Sequence, residues 1–235
     1  MYIRPVIHGE TIMIITRYCS INPEQVSVNK TILLKNPDSD KKNLLKTLYR
    51  HLYIQYPKFF KMDPLSKLAF LSAEILLRDM NVTTRYPSEE IGMILLNSTS
   101  SLETDEKHQE SINDRGNYFP SPSVFVYTLP NIMAGEIAIR HKIKGENAVI
   151  IREKPDVQTI FQLVDELFSR KRVSCCIAGW VESYHDRLSS CLMLIENEEM
   201  AKTYIEPEEI IIFDPSNIER IFKEVLLDGR TDGKA

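Results

Sequence analysis

Apolar positions recur at helical spacing early in the chain. Across 41–53, Leu44, Leu45, Leu48 and Leu52 form one stripe, the pattern of an amphipathic helix. Just downstream, Asp63 is placed to cap a second helix, with Pro64 at its first position. Leu65, Leu68, Ala69, Leu71, Ser72, Ile75 and Leu76 share or border its inner side. A further amphipathic helix is predicted over 156–170 through Ile160, Phe161, Leu163, Val164 and Leu167. Between them, a proline-rich extended approach leads into a helix starting near 129–131. Its small-residue face, Ala134, Gly135, Ala138 and Ile139, predicts close packing on another backbone. A last helix is expected over 217–227.

Strands are predicted at 12–15, ahead of an Asn22-Pro23 turn, and at 91–95, whose unbroken apolar run implies a parallel strand buried on both faces. Others follow at 148–151, 173–179, 190–195 and 206–213, and the ESYHDRL stretch is long enough for an antiparallel return. The polar run after 95 enters a helix with Ser100 and Glu103 as a capping box. This order predicts one α/β domain, a mostly parallel five-stranded sheet flanked by helices with an antiparallel member near the end.

Composition narrows the function classes. The chain has 235 residues, 43% hydrophobic and 26% charged, enough to bury a continuous core. A formal net charge of −4 removes the broad electrostatic drive toward nucleic acid. No window has the length of a membrane span and the amino terminus lacks the pattern of a signal peptide, so a cytoplasmic protein is expected.

Candidate chemistry is sparse. Cys19, Cys175, Cys176 and Cys191 form no CxxC pair. Within a strand, Cys175 and Cys176 point to opposite faces and read as small core fillers. His8, His51, His108, His141 and His185 are scattered, with His51 and His141 at helix ends, where a cation is favoured. No metal cluster, dinucleotide fingerprint or phosphate loop is present, and no cofactor is expected. Cys191 with His185 can be written as a thiol–imidazole pair, although the spacing does not force them together. Lys154 is an activated amine only if it is desolvated.

One stretch does carry a resemblance. TLPNIMAGEIAIRHKIKGEN, residues 128–147, resembles a run of the β-ketoacyl-acyl-carrier-protein synthase family, in which an asparagine-led helix with small residues ends in a G-x-x-G-x-N turn; Glu146 stands where the family usually has proline. AGWVE, 178–182, resembles the family's A-G-G-x-E segment, and SSCLMLIENEEMA, 189–201, the strand that follows. DPLSKLAFLSAEILL and IGMILLNSTSSLETD resemble the first long helix and the strand after it. The similarity covers most of 1–204 in the order of an amino-terminal half, closest in kind to compact ketosynthase-like proteins of Bacteroidetes-type bacteria.

The resemblance implies a thiolase-like fold, with 1–204 as the ketosynthase-like domain, 205–227 as its short β-α appendage and 228–235 as a flexible tail. It places Lys154 at the family's nucleophilic cysteine, flanked by REKPD instead of the small residues of a sharp nucleophile turn. The family's histidine partners belong to its second half, which these residues do not reach. A lysine attacking a thioester ends in an amide, so loss of the condensing reaction is implied. Phe119, Phe125 and Asn131 become candidate acyl-pocket residues, and Gly145, Asn147 and Gly179 structural-turn residues. Ala148, Val149, Ile150 and Ile151 become the strand through which the family dimerises. The implied role is a non-catalytic partner or scaffold in fatty-acid-like or polyketide-like biosynthesis, as a homodimer or paired with a full-length ketosynthase, with acyl carrier protein as a further partner. The alternatives are an acyl-transfer or thioester-hydrolysing enzyme using Lys154 or Cys191, and an unrelated binding module on a reused half-fold.

Overall fold

The computed structural model describes residues 12–36, 41–114, 116, 118–206 and 210–227. The expected tail at 228–235 and His8 lie outside them. In chain order the elements are β1 (Met13–Ile21), β2 (Gln25–Val28), β3 (Thr31–Lys35), α1 (Lys41–His51), α2 (Pro64–Leu77), α3 (Val82–Arg85), β4 (Ile91–Asn97), α4 (Leu102–Glu110), α5 (Pro122–Val126), α6 (Ile132–His141), β5 (Asn147–Ile151), α7 (Val157–Ser169), β6 (Cys175–Tyr184), β7 (Arg187–Asn197), α8 (Glu198–Ala201), β8 (Ile211–Ile212) and α9 (Pro215–Phe222), which a π-turn at Lys223–Leu227 extends.

One eight-stranded sheet runs β3-β2-β1-β7-β6-β4-β5, with β8 added beside β1. Among the described residues only β4 with β5 and β4 with β6 are parallel, and the other pairings are antiparallel. The expectation of a mostly parallel five-stranded sheet is corrected on both counts. The β2–β3 hairpin adds two strands, and β6 returns into β7 through a turn of only His185 and Asp186, so both strands are longer than their apolar cores. The expected parallel, doubly buried strand is β4, whose seven residues are all buried.

The sheet divides the core into two faces. Met93 and Leu95 of β4 join α1, α2 and α6 on one side; Ile94 and Leu96 join α7 and α9 on the other. The alternation carries Cys175 and Cys176 to opposite faces, each with no exposed surface, as the period of two requires. Segment 205–227 supplies β8 to the sheet and Ile218, Ile221 and Phe222 to the second face.

The expected caps fare unequally. Asp63 accepts the Ser66 N–H at 3.1 Å and starts α2. The Ser100–Glu103 capping box does not form: Ser100 has a positive φ, the N-cap is Ser101, and its hydroxyl reaches Asp105 and the Thr128 carbonyl instead. On α6 the buried residues are Met133, Ala134, Glu136 and Ile137, while a Cβ added at Gly135 would meet open space and Ile139 is exposed. Ala134 and Ala138 of the expected small-residue face do pack into the core, while Gly135 and Ile139 do not.

Candidate functional site

The parallel strands β4, β5 and β6 bring two loops to their carboxyl ends, the place where α/β sheets hold ligands. The first follows β4 and wraps around Glu182, which is buried in β6. The Glu182 carboxylate accepts from the Ser98 N–H at 2.8 Å, the Ser98 hydroxyl at 2.7 Å, the Thr99 hydroxyl at 2.6 Å and Asn97 Nδ2 at 3.3 Å. Asn97 Nδ2 also reaches the Val181 carbonyl at 2.6 Å, and its oxygen accepts the Ser100 N–H. A buried carboxylate with this many donors is satisfied, and it sets the loop's shape.

The second loop, 152–156, joins β5 to α7 and carries Lys154. The Arg152 N–H bonds the Asn97 carbonyl at 2.9 Å, which ties the two loops together. Asp156 caps α7 by accepting the Thr159 N–H at 3.0 Å and its hydroxyl at 2.6 Å, and Arg152 Nε lies 3.3 Å away. These Thr159 hydrogen bonds, with Arg152 adding, hold the Asp156 carboxyl below the ordinary aspartate range. Lys154 is exposed and has no ion-pair or hydrogen-bond partner among the described residues. The desolvation that would activate an amine is missing.

None of the four cysteines lies in either loop. Cys19, Cys175, Cys176 and Cys191 sit in β1, β6 and β7, all free and fully buried. Burial pushes the Cys19 and Cys176 thiols up to about 12 and those of Cys175 and Cys191 well above the usual range, so none is a ready thiolate. His185 stands exposed at the β6–β7 turn, 3.2 Å from Glu106, while Cys191 pairs with Trp180 in the middle of the sheet. The thiol–imidazole pair is absent, and a covalent role for Cys191 goes with it.

The remaining candidates are not gathered into one site. Phe119 is 78% exposed and Phe125 57% exposed, its ring against His108, and Asn131 is exposed just before α6. These side chains face solvent rather than lining an enclosed acyl tunnel. Gly145 belongs to a tight approach, since a Cβ there would run into the Ile91 carbonyl oxygen. Asn147 opens β5, exposed. Gly179 is not in a turn: it lies inside β6, where a Cβ would meet the Cys191 carbonyl of β7. Ala148, Val149, Ile150 and Ile151 form the sheet's terminal strand, paired on one side to β4. Beside this strand runs a cleft of about 680 Å³ that includes Ala148, Leu163 and Leu167. The described residues contain no group of His, Cys, Asp and Glu that could hold a metal ion.

The sequence matches no protein-family model and no curated protein. Solved structures do match. The ishigamide ketosynthase/chain length factor superposes with a TM-score of 0.57 at 16% identity, covering 80% of this chain and 63% of that one. A type II polyketide ketosynthase, solved in complex with its acyl-carrier protein, gives 0.58 at 12% identity over 92% of this chain and 83% of that one. A Burkholderia phymatum β-ketoacyl synthase gives 0.53 at 12%, covering 83% of this chain and 61% of that one. The fold is thiolase-like. This chain thus spans less than two thirds of the ishigamide and Burkholderia chains it matches. No described helix is long and apolar enough to cross a membrane.

Proposed function

We propose that this ketosynthase-like chain is a non-catalytic partner or scaffold subunit in acyl-chain biosynthesis, of the fatty-acid or polyketide kind. The observation that carries the reading is the 152–156 loop, which presents an exposed Lys154 with no thiol nearby, while every cysteine is sealed inside the sheet. A condensing enzyme needs an accessible thiolate to receive the acyl group. Beside that loop, β5 ends the sheet, and an unpaired strand edge is a template for another chain. Pairing through Ala148–Ile151 with a second copy or with a full-length ketosynthase covers that edge, and an acyl carrier protein is the expected further partner. Two of the matched structures contain a chain length factor, which makes such a pair the first partner to try.

The test is co-expression of the tagged chain with a full-length ketosynthase, read by co-purification and sedimentation. Recovery of a defined complex supports the role. A strict monomer that captures neither a second copy nor the ketosynthase overturns it, and so does condensation product formed by this chain alone.

A further inference from the structure

The free side of β5 has a defined chemistry. Its ladder to β4 starts with the Met93 N–H on the Glu146 carbonyl and ends with the Arg152 N–H on the Asn97 carbonyl, both at 2.9 Å. Those bonds turn the even-numbered residues toward β4. With a period of two, the backbone N–H and C=O groups of Asn147, Val149 and Ile151 point away from the sheet. Beside that edge, on the α7 side, lies the cleft of about 680 Å³. Its apolar part is Ile94, Ala148, Leu163 and Leu167. Its charges close in two ion pairs, Glu146 with Arg172 at 2.5 Å and Glu166 with Arg170 at 2.7 Å. A row of outward backbone groups next to a cleft without net charge fits an extended strand. The strand's backbone takes the hydrogen bonds and its alternate side chains enter the cleft.

A second copy of β5 is such a strand, and its sequence selects one register. In antiparallel pairing about a two-fold axis, outward residues must oppose outward residues, so the axis passes through a residue and its own copy. Centres on Ala148, Val149 and Ile150 pair most of the strand. Centred on Ala148, two alanines meet and the cleft stays unfilled. Centred on Ile150, Arg152 is laid against Ala148, a cation beside the apolar floor. Centred on Val149, all five residues of the strand pair and each outward residue meets another. Ile150, which faces the same side of the sheet as Ala148, then sits opposite Ala148 of the other copy. The same register sets Glu146 opposite Arg152 of the other copy, twice by symmetry, and opposed charges across strands are favourable.

We propose that two copies join β5 to β5, antiparallel and centred on Val149, each Ile150 seated beside the other copy's Ala148 over the cleft. The proposal rests on the subunit reading for its use of this edge. It adds the partner, the register and the residue that keys it. Ala148 has the smallest side chain of the strand and leaves the notch that a bulky residue fills.

The experiment is disulfide mapping on the full chain, at concentrations where sedimentation shows association. The four native cysteines are fully buried, so the parent gives little cross-linking under diamide. Opposed residues of the Ala148–Ile150 kind lie about 4.5 Å apart at Cα, within reach of a disulfide. Ala148→Cys and Ile150→Cys are each expected to stay uncross-linked alone and to give a covalent dimer when mixed. Cross-linking by either variant alone marks another register and overturns the proposal, as does a mixture that does not cross-link. A second measurement uses the exposed charges. Glu146→Lys and Arg152→Glu should each weaken self-association about tenfold, through two repulsive pairs. Mixed together, the two chains should recover the parent's affinity, and a mixture as weak as the single variants overturns the proposal. A chain that stays monomeric overturns it too. If that monomer still captures the ketosynthase, the subunit role stands, so the two failures are distinct results.

Discussion

Two loops leave the same end of the sheet and are held in opposite ways. The 97–100 loop is bound to Glu182, a buried carboxylate more than eighty residues further along the chain. The 152–156 loop is held mainly by its own neighbourhood, with Arg152, Asp156 and Thr159 bonding across at most seven residues at the surface. The first has its shape imposed by the fold. The second keeps a helix cap and a free lysine, and its side chains can change without disturbing the core.

The largest effect should come from Glu182→Ala. It strands the Ser98 N–H and takes the acceptor from the Ser98 and Thr99 hydroxyls, and a loss of about 3 kcal/mol is expected in urea denaturation. A loss under about 1 kcal/mol would erase the contrast between the loops.

Next is Ile151→Lys, at the exposed end of β5 just before the second loop. It should weaken association through that edge by about tenfold in sedimentation while leaving the monomer's stability nearly unchanged.

Asp156→Ala should cost about 1 kcal/mol by removing the α7 cap. The sign with pH follows from the lowered carboxyl. Its contribution is complete above the ordinary aspartate value near 3.9 and is lost as pH falls through the lower folded value. Stability measured between about pH 5 and pH 2 should therefore fall less steeply in Asp156→Asn than in the parent. Smallest of all, Lys154→Ala should stay within about 0.5 kcal/mol; a larger loss would mean the second loop is not as free as its geometry indicates.

The legible parts of the chain were those written locally. The leucine stripe of α1, the Asp63 cap of α2 and the apolar periodicity of α7 each depend on residues within a few positions of one another, and the structure places all three as the spacing implies. The β2–β3 hairpin carried a fainter signal: Asn29, with a positive φ, turns QVSV back on TILLK. Asparagine ahead of a short apolar run is such a turn signal, though the strands are too short to show a clear period. Glu182 closes the AGWVE stretch that carried the resemblance, but nothing local gave its part in holding the loop. Its role exists only because β6 lies beside β4, and any charged residue at a strand end looks alike until its neighbours are known.

The sequence by itself determined the main helices, the burial of β4, the ketosynthase-like order of elements, and the placing of a lysine where the resemblance expects a thiol. Periodicity, caps and residue identity are local properties, readable one element at a time. The tertiary structure alone decided that most of the sheet is antiparallel, that Glu182 anchors the first loop, that Phe119 and Phe125 face solvent, and that a cleft lies between β5 and α7. Those depend on which strands and helices meet, and such meetings are set by the packing of residues far apart along the chain.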